Sequence, residues 1–332
     1  MKNDLLKFSD VYINNAAATV GKKESEGPLK ETFDLHEKDE YFGCDNFEAA
    51  ESEMIRRNLN LLYKKAGIDS INVDMYFGGD LINQCVPSNY AITETSTPFI
   101  GLYGACSTII EAIICSSVFI QGGFINNAIS FASSHFCASE RQYRFPLEYG
   151  SVRTPTSQNT VTGTGAFLLS NKPGPIKIEH AVIGKIVDKG VKDSNNMGAA
   201  MACAAVDTLI RFFNSTQTSP KDYDMIYTGD LGYEGHNIAK EMFMLNGIEI
   251  ESNLTDCGIL IYDKNNQDTH SGGSGCGCIA SVFAGHIFKE LEKKNSKNIL
   301  LVGTGALLNP NSIFEKHSIP GIAHAIHVQV EE

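Results

Sequence analysis

The chain has 332 residues, 42% of them hydrophobic, and carries a net charge of −12 from 27 lysines and arginines against 39 aspartates and glutamates. That length and apolar content can bury a large core, while the negative charge and the lack of a basic stripe exclude a protein that tracks nucleic-acid phosphates. No run reaches the roughly 18 apolar residues of a membrane span, and Met1 to Ile13 has charges where a signal peptide has its apolar stretch, so a soluble, unexported protein is expected.

Lys22, Lys23, Glu24 and Glu26 read as an exposed loop without chemistry. Asp45 and Glu48 then stand at capping-box spacing before an apolar face of Ile55, Leu59, Leu62 and Ala66, with Gly67 as the residue after the helix. The segment VDMYFGGDL, Val73 to Leu81, follows as a strand, and a short helix leads to a strand at Pro98 to Tyr103. The turn Gly104-Ala105-Cys106-Ser107 opens a helix to Ile120 that is apolar nearly all round, so it belongs between two layers rather than on a surface. A strand at Ala128 to Ala132 comes next. A long connection holding Arg141, Arg144 and Arg153, half of the six arginines, reads as solvated surface or a dimer contact; the strand TVTGTGAFLLS, Thr160 to Ser170, closes the first half.

The second half repeats this order. YDMIYTGDL, Tyr223 to Leu231, restates VDMYFGGDL with Asp230 in step with Asp80, an offset of 150 residues (230 − 80). It is preceded by a helix over Ala199 to Phe213 that Pro220 stops, and followed by a strand at Gly258 to Tyr262, a glycine-rich turn at Gly272 to Gly277, a helix to Leu291 and a strand at Asn298 to Val302. Strands alternating with helices imply parallel sheets with crossover helices, built twice. The halves divide as 1–175 and 176–332.

The chemistry concentrates at Cys106. A cysteine at a strand-to-helix turn meets unpaired backbone N–H groups and the positive end of a helix, which favours thiolate or a bound anion; the alternative is a small residue chosen because the turn is crowded. Nine cysteines, an odd number without a CxxC pair, fit a reducing compartment better than a disulfide framework, with metal binding the weaker alternative. His236, after GDLGYEG, reads as structural, at the start of a helix.

GACST at the opening of the buried helix and TVTGTGAFLLS resemble the thiolase and condensing-enzyme superfamily. More narrowly, YFGGDLINQ, GLYGACST, ASSHFCASERQYRFPLEYG, TVTGTGAFLL, VKDSNNMGAAMACAAVDT, IYTGDLG, NLTDCGILIYD, GGSGCGC and SIPGIAHA, in that order over almost the whole length, resemble the stage V sporulation protein AD family. The resemblance implies a thiolase-like five-layer α/β/α/β/α fold of two βαβαβαββ halves and a homodimer paired through a first-half strand, expected at Ala128 to Ala132. It also implies binding of dipicolinic acid (pyridine-2,6-dicarboxylate) for uptake into the developing spore, alongside the membrane proteins of the same sporulation system and peripheral to the spore inner membrane.

Condensing enzymes pair their cysteine with a second-half histidine and an asparagine or second histidine. By register the first is replaced here by Asp230, and Gly272-Gly273-Ser274-Gly275-Cys276 supplies neither partner. A carboxylate repels an oxyanion, so a pocket kept for binding is expected rather than catalysis, with an acyltransferase of altered catalytic set as the alternative. His135, at the end of the strand to Ser134, and His324, on the last strand, are expected to line the pocket with Cys106. The ligand is a dianion and the chain is acidic, so a calcium ion chelated by the ligand is expected to help. Asp80 and Asp230, at equivalent strand ends, either face that cation or cap the turns that follow.

Overall fold

In the computed structural model the described residues are 4–143, 153–250 and 253–331. The first half contains β1 (Leu5–Lys7), β2 (Tyr12–Val20), β3 (Leu35–His36), α1 (Phe47–Ala66), β4 (Tyr76–Gly79) and α2 (Val86–Ile92). It continues with β5 (Phe99–Gly101), α3 (Thr108–Gln121), β6 (Asn127–Ser134), α4 (Phe136–Tyr143), β7 (Asn159–Thr160) and β8 (Gly163–Ser170). Then come β9 (Ile176–Val182), α5 (Met197–Thr216), β10 (Met225–Thr228), α6 (Gly232–Leu245), β11 (Leu254–Asp256), α7 (Cys257–Leu260) and β12 (Gly273–Ser274). The chain ends with α8 (Cys276–Val282), which runs through a π turn into α9 (Phe288–Glu292), then β13 (Asn298–Ala306), α10 (Pro310–Phe314) and β14 (Gly321–Val330).

The 150-residue offset holds far beyond the GDL segments. α1 and α5 begin and end in register (197 − 47 and 216 − 66), each with an asparagine N-cap, Asn46 and Asn196, and each followed by a left-handed residue, Gly67 and Gln217. Asp69 with Asn72 and Ser219 with Asp222 then form reciprocal capping boxes at matching positions. Asp74 Oδ2 accepts the N–H groups of Asn126 and Asn127, and Asp224 Oδ2 accepts those of Lys297 and Asn298, so one device holds the entry of the second strand in both copies.

The strands run in the order β5-β4-β6-β8-β2 in the first half and β11-β10-β13-β14-β9 in the second, and the two sets join where Tyr12 and Ile13 pair with Lys177 and Ile176. In each half the first two strand pairs are parallel and the last two antiparallel, so one strand, β8 or β14, runs against the other four. The three larger apolar cores among the described residues give the layers. α1 packs Ile55, Leu59 and Leu62 against Ile129, Phe131 and Ala166 on one outer face. α5 and α6 pack Val206, Leu209, Phe212 and Phe243 against Ile226, Leu300 and Val302 on the other. Between the sheets lie Ile109, Ile110 and Ile113 of α3 with Ile279 and Val282 of α8, touching strands of both halves. This is the five-layer α/β/α/β/α arrangement. The all-round apolar character of α3 follows from its position, with no wet face to satisfy.

Close approach in the middle layer depends on glycine. A Cβ at Gly165 on β8 would lie 2.0 Å from the carbonyl oxygen of Ala280 on α8, so that helix can rest on the strand only because the side chain is absent.

Four expectations need correction. Asn46, not Asp45, caps α1, its Oδ1 accepting Ala49 N at 2.9 Å. α5 ends at a left-handed Gln217 before Pro220 is reached; Pro220 opens a short 3₁₀ turn instead. The strand expected at Gly258 to Tyr262 lies earlier, as β11, because Asp256 accepts Gly258 N and turns the chain into α7. Finally, β6 is paired on both sides, with β4 and β8, so its ladder groups are already used; the strand at the edge of the first half is β5.

Candidate functional site

Cys106 sits where β5 turns into α3. Ala105, just before it, is left-handed at φ 49°, a strained conformation for a residue with a Cβ. The turn is tied down locally: Ser107 Oγ donates to Gly104 O at 2.7 Å, Thr108 Oγ1 to Ala105 O at 2.6 Å, and Cys276 Sγ to the same Ala105 O at 2.9 Å. Behind it β13 presents glycine; a Cβ at Gly305 would lie 2.5 Å from Gly104 O. The second half therefore fixes the first-half turn from two sides.

Opposite the sulfur the second half places a hydroxyl and a carboxylate. Ser274 Oγ lies 3.8 Å from Cys106 Sγ and donates to Asp230 Oδ2 at 3.0 Å. Asp230 also accepts Gly275 N at 3.1 Å and Thr304 Oγ1 at 2.7 Å. It is fully buried, and loss of hydration raises its carboxyl pKa. Burial first, then the neighbouring Asp230 charge, pushes the Cys106 thiol well above the ordinary range. Of the readings of Cys106, the thiolate is disfavoured, because desolvation and a carboxylate outweigh the helix terminus.

The pocket above Cys106 has a volume of about 80 Å³ and is lined by Ser139, Glu140, Thr160, Ser274, Asn195 and Met197 among others. It shares Tyr103, Tyr143 and Leu308 with an outer cleft of about 320 Å³. At that neck the hydroxyls of Tyr103 and Tyr143 meet at 2.7 Å, and Tyr143 donates to Leu81 O at 2.7 Å. Among the described lining residues Glu140 is the only charged side chain.

The other expected site residues are placed elsewhere. His135 is buried with both ring nitrogens engaged, Nε2 donating to Glu40 O at 2.7 Å and Nδ1 accepting Ala138 N at 3.5 Å, and its ring stacks on Phe47. His324 accepts Gly184 N through Nδ1 at 3.1 Å, leaves Nε2 buried without a partner among the described residues, and has its pKa lowered by burial to about 4. Neither lines the Cys106 pocket, nor does Asp80, whose oxygens accept Ile82 N at 2.8 Å, Ser88 N at 2.9 Å and the Ser88 hydroxyl. Asp80 is a capping residue, although the repeat places it in step with Asp230. No group of three or more histidine, cysteine, aspartate or glutamate side chains among the described residues is arranged to hold a metal ion. His236 lies in the second turn of α6. Arg141 pairs with Glu48 and Arg153 with Asp268, while Arg144 is outside the described residues.

Sequence reading did not assign Ser274, Thr304, Tyr103, Tyr143 or Glu140. The only signals were weak: Tyr103 is three residues before Cys106, and Ser139, Glu140 and Tyr143 have the spacing of one helix face. Glu24, expected in an exposed loop, is buried at 1% exposure and accepts the Tyr262 hydroxyl and Thr162 N.

No helix among the described residues is long and apolar enough to cross a membrane. Solved structures with similar architecture include cerulenin-bound OleA from Xanthomonas campestris, 12% identical with a TM-score of 0.64 and covering 99% of this chain and 99% of that one. Another is 3-oxoacyl-[acyl-carrier-protein] synthase III from Aquifex aeolicus VF5, 11% identical with a TM-score of 0.58, covering 96% and 99%. At that identity they establish the thiolase-like fold. The stage V sporulation protein AD of Bacillus subtilis (strain 168) is 39% identical over 316 residues, 95% of this chain and 93% of the relative. The family profile for stage V sporulation protein AD matches residues 3–329, and the chain belongs to that family.

Proposed function

We propose that this protein binds dipicolinic acid in the pocket at Cys106, as the calcium chelate, and serves its uptake into the developing spore as a non-catalytic member of a system that includes membrane proteins. The ligand is the one that the sequence resemblance implies. The observation that carries the non-catalytic reading is the pairing of Ser274 with Asp230 beside Cys106: acyl condensation needs donors aimed at a developing oxyanion, and this position holds a carboxylate. The chelate is favoured because the ligand is a dianion, the chain carries a net charge of −12, and the pocket lining includes the carboxylate of Glu140. Calcium held mainly by the ligand, with Glu140 as one further oxygen, removes that conflict.

Calorimetry with dipicolinate, in calcium and in chelator, tests this. The reading requires saturable binding in calcium that Cys106→Trp abolishes. No heat under either condition from folded protein would refute it. The membership of condensing enzymes in the same fold supports acyl transfer as a second reading, and a covalent acyl adduct on Cys106 after incubation with acyl-thioester would establish it.

A further inference from the structure

A second cavity lies across the β7–β8 segment from the Cys106 pocket. Thr160 lines the first; Asn159 and Thr162 line the second, together with Lys22, Lys23, Glu24, Glu40 and Phe136, around a volume of about 170 Å³. Its charged lining is balanced, two ammonium groups and two carboxylates.

Glu24 is the feature that calls for a ligand. Its Oε1 accepts Thr162 N at 3.0 Å and the Tyr262 hydroxyl, which itself accepts Asn159 Nδ2 at 3.1 Å. Its Oε2 is buried and has no partner among the described residues. A buried carboxylate oxygen without a donor costs stability unless a partner arrives or the group takes a proton. Burial raises the Glu24 pKa to about 7, so in the empty site it is readily protonated, and an incoming cation would displace that proton. Space beside it is preserved by Gly21, where a Cβ would stand 2.8 Å from the Thr162 side chain and 3.1 Å from Glu24 Oε2.

The cationic part is equally unusual. Lys23 Nζ lies 3.4 Å from Asn159 Oδ1 and donates to Asp268 O at 3.0 Å, and Arg153 donates to the same two residues at 3.3 Å and 2.9 Å. Two cations thus converge on one amide oxygen and one carbonyl. Burial, then the Arg153 charge, lowers the Lys23 pKa. The nearest carboxylate in reach of Arg153, Asp268, is 78% exposed and therefore screened. An anion at Lys23 would relieve this crowding of like charge.

We propose that this cavity is a second small-molecule site, separate from the Cys106 pocket, for a zwitterion of the α-amino acid class, its ammonium on Glu24 Oε2 and Glu40 and its carboxylate on Lys23. Neither a simple amine nor a simple carboxylate answers both halves of the site.

Saturation-transfer NMR and thermal melts of the full chain test the assignment. Probes are the twenty amino acids singly at millimolar concentration, with methylammonium and acetate as half-ligands. At least one amino acid should bind and raise the melting temperature, both half-ligands should be at least tenfold weaker, and binding should persist in Cys106→Trp. Glu24→Gln keeps the shape and the Tyr262 contact while removing the charge, and should weaken the bound amino acid at least tenfold; Lys23→Met, at a half-buried position, provides the same test if Glu24→Gln does not fold. No binding by any amino acid, equal binding by a half-ligand, or unchanged affinity in the folded variants would overturn the proposal.

Discussion

Asp230 accepts the hydroxyl proton of Ser274 at 3.0 Å, and that hydroxyl oxygen lies 3.8 Å from the sulfur of Cys106. A buried carboxylate therefore fixes the Ser274 hydroxyl that faces the cysteine and points its proton away from any acyl oxygen. Each absent oxyanion donor is worth roughly 3 to 4 kcal/mol, or about 10²- to 10³-fold in rate. Turnover of acetyl- or acetoacetyl-CoA is expected to stay well below about 1 per second. Faster turnover, abolished by Cys106→Ala, would contradict the non-catalytic reading.

Cys106→Ala removes a neutral thiol and leaves the turn, whose hydrogen bonds come from Ser107, Thr108 and Cys276. Dipicolinate affinity should fall modestly, by less than about tenfold, or 1.4 kcal/mol. Cys106→Trp fills the pocket and should eliminate binding. Titration of both variants, each checked by thermal melt, separates a pocket at Cys106 from a site elsewhere.

Calcium dependence should run through Glu140 rather than Asp80. Asp80 is committed to Ile82 and Ser88, whereas Glu140 lines the pocket. At constant ionic strength, calcium should raise dipicolinate affinity, Glu140→Gln should reduce that gain, and Asp80→Asn, if folded, should leave it intact. Equal affinity in calcium and in chelator would discard the chelate.

The buried acids give stability a defined pH dependence. Glu24 and Asp256 are raised by burial to about 7 and Asp80 to about 6, so each binds a proton more tightly folded than unfolded, and its stabilising contribution, complete at low pH, is lost as pH rises through the folded value. His236, His324 and His327 are lowered by burial to about 4; their contribution is present above the unfolded value and is lost as pH falls towards 4. The two sets oppose each other between about pH 4.5 and 6.5, giving a broad plateau, and nearer pH 7 the acids outweigh the histidines. Urea midpoints should therefore fall from pH 6 to pH 8, by less than about 1 kcal/mol of stability. A rise over that interval would show that these carboxyls are ionised in the fold.

Gly165→Ala places a methyl group 2.0 Å from Ala280 O and must push α8 off β8. A loss of about 1 to 3 kcal/mol is expected, read as a lower melting temperature. An unchanged melt would mean that the middle layer is looser than its packing indicates.

Much of the architecture was legible because duplication prints the same local signals twice. Helix caps, the left-handed residues after them and the GDL segments are short-range devices, set by neighbours within a few positions, and their 150-residue offset needs only the sequence to be seen. The cysteine turn and the apolar α3 were visible for the same reason. What the offset did not carry was the fate of matching residues: Asp80 and Asp230 share a register, yet one caps a turn and the other meets Ser274 and Thr304.

That difference is set by which strands become neighbours. Ser274 reaches the pocket because β12 pairs with β7, and Thr304 because β13 lies beside β10, contacts between segments from 74 to more than 100 residues apart. His135 was placed correctly at a strand end but turned towards Glu40 and Phe47, and Glu24 was drawn from an apparent surface loop into a buried contact with Tyr262, 238 residues away. Local periodicity and turn chemistry were enough to reveal the repeated halves, the buried helix and the position of Cys106. Which polar groups face the cysteine, and which carboxylates are buried, was settled in the folded chain alone, because burial and hydrogen-bond partners arise when distant segments pack together.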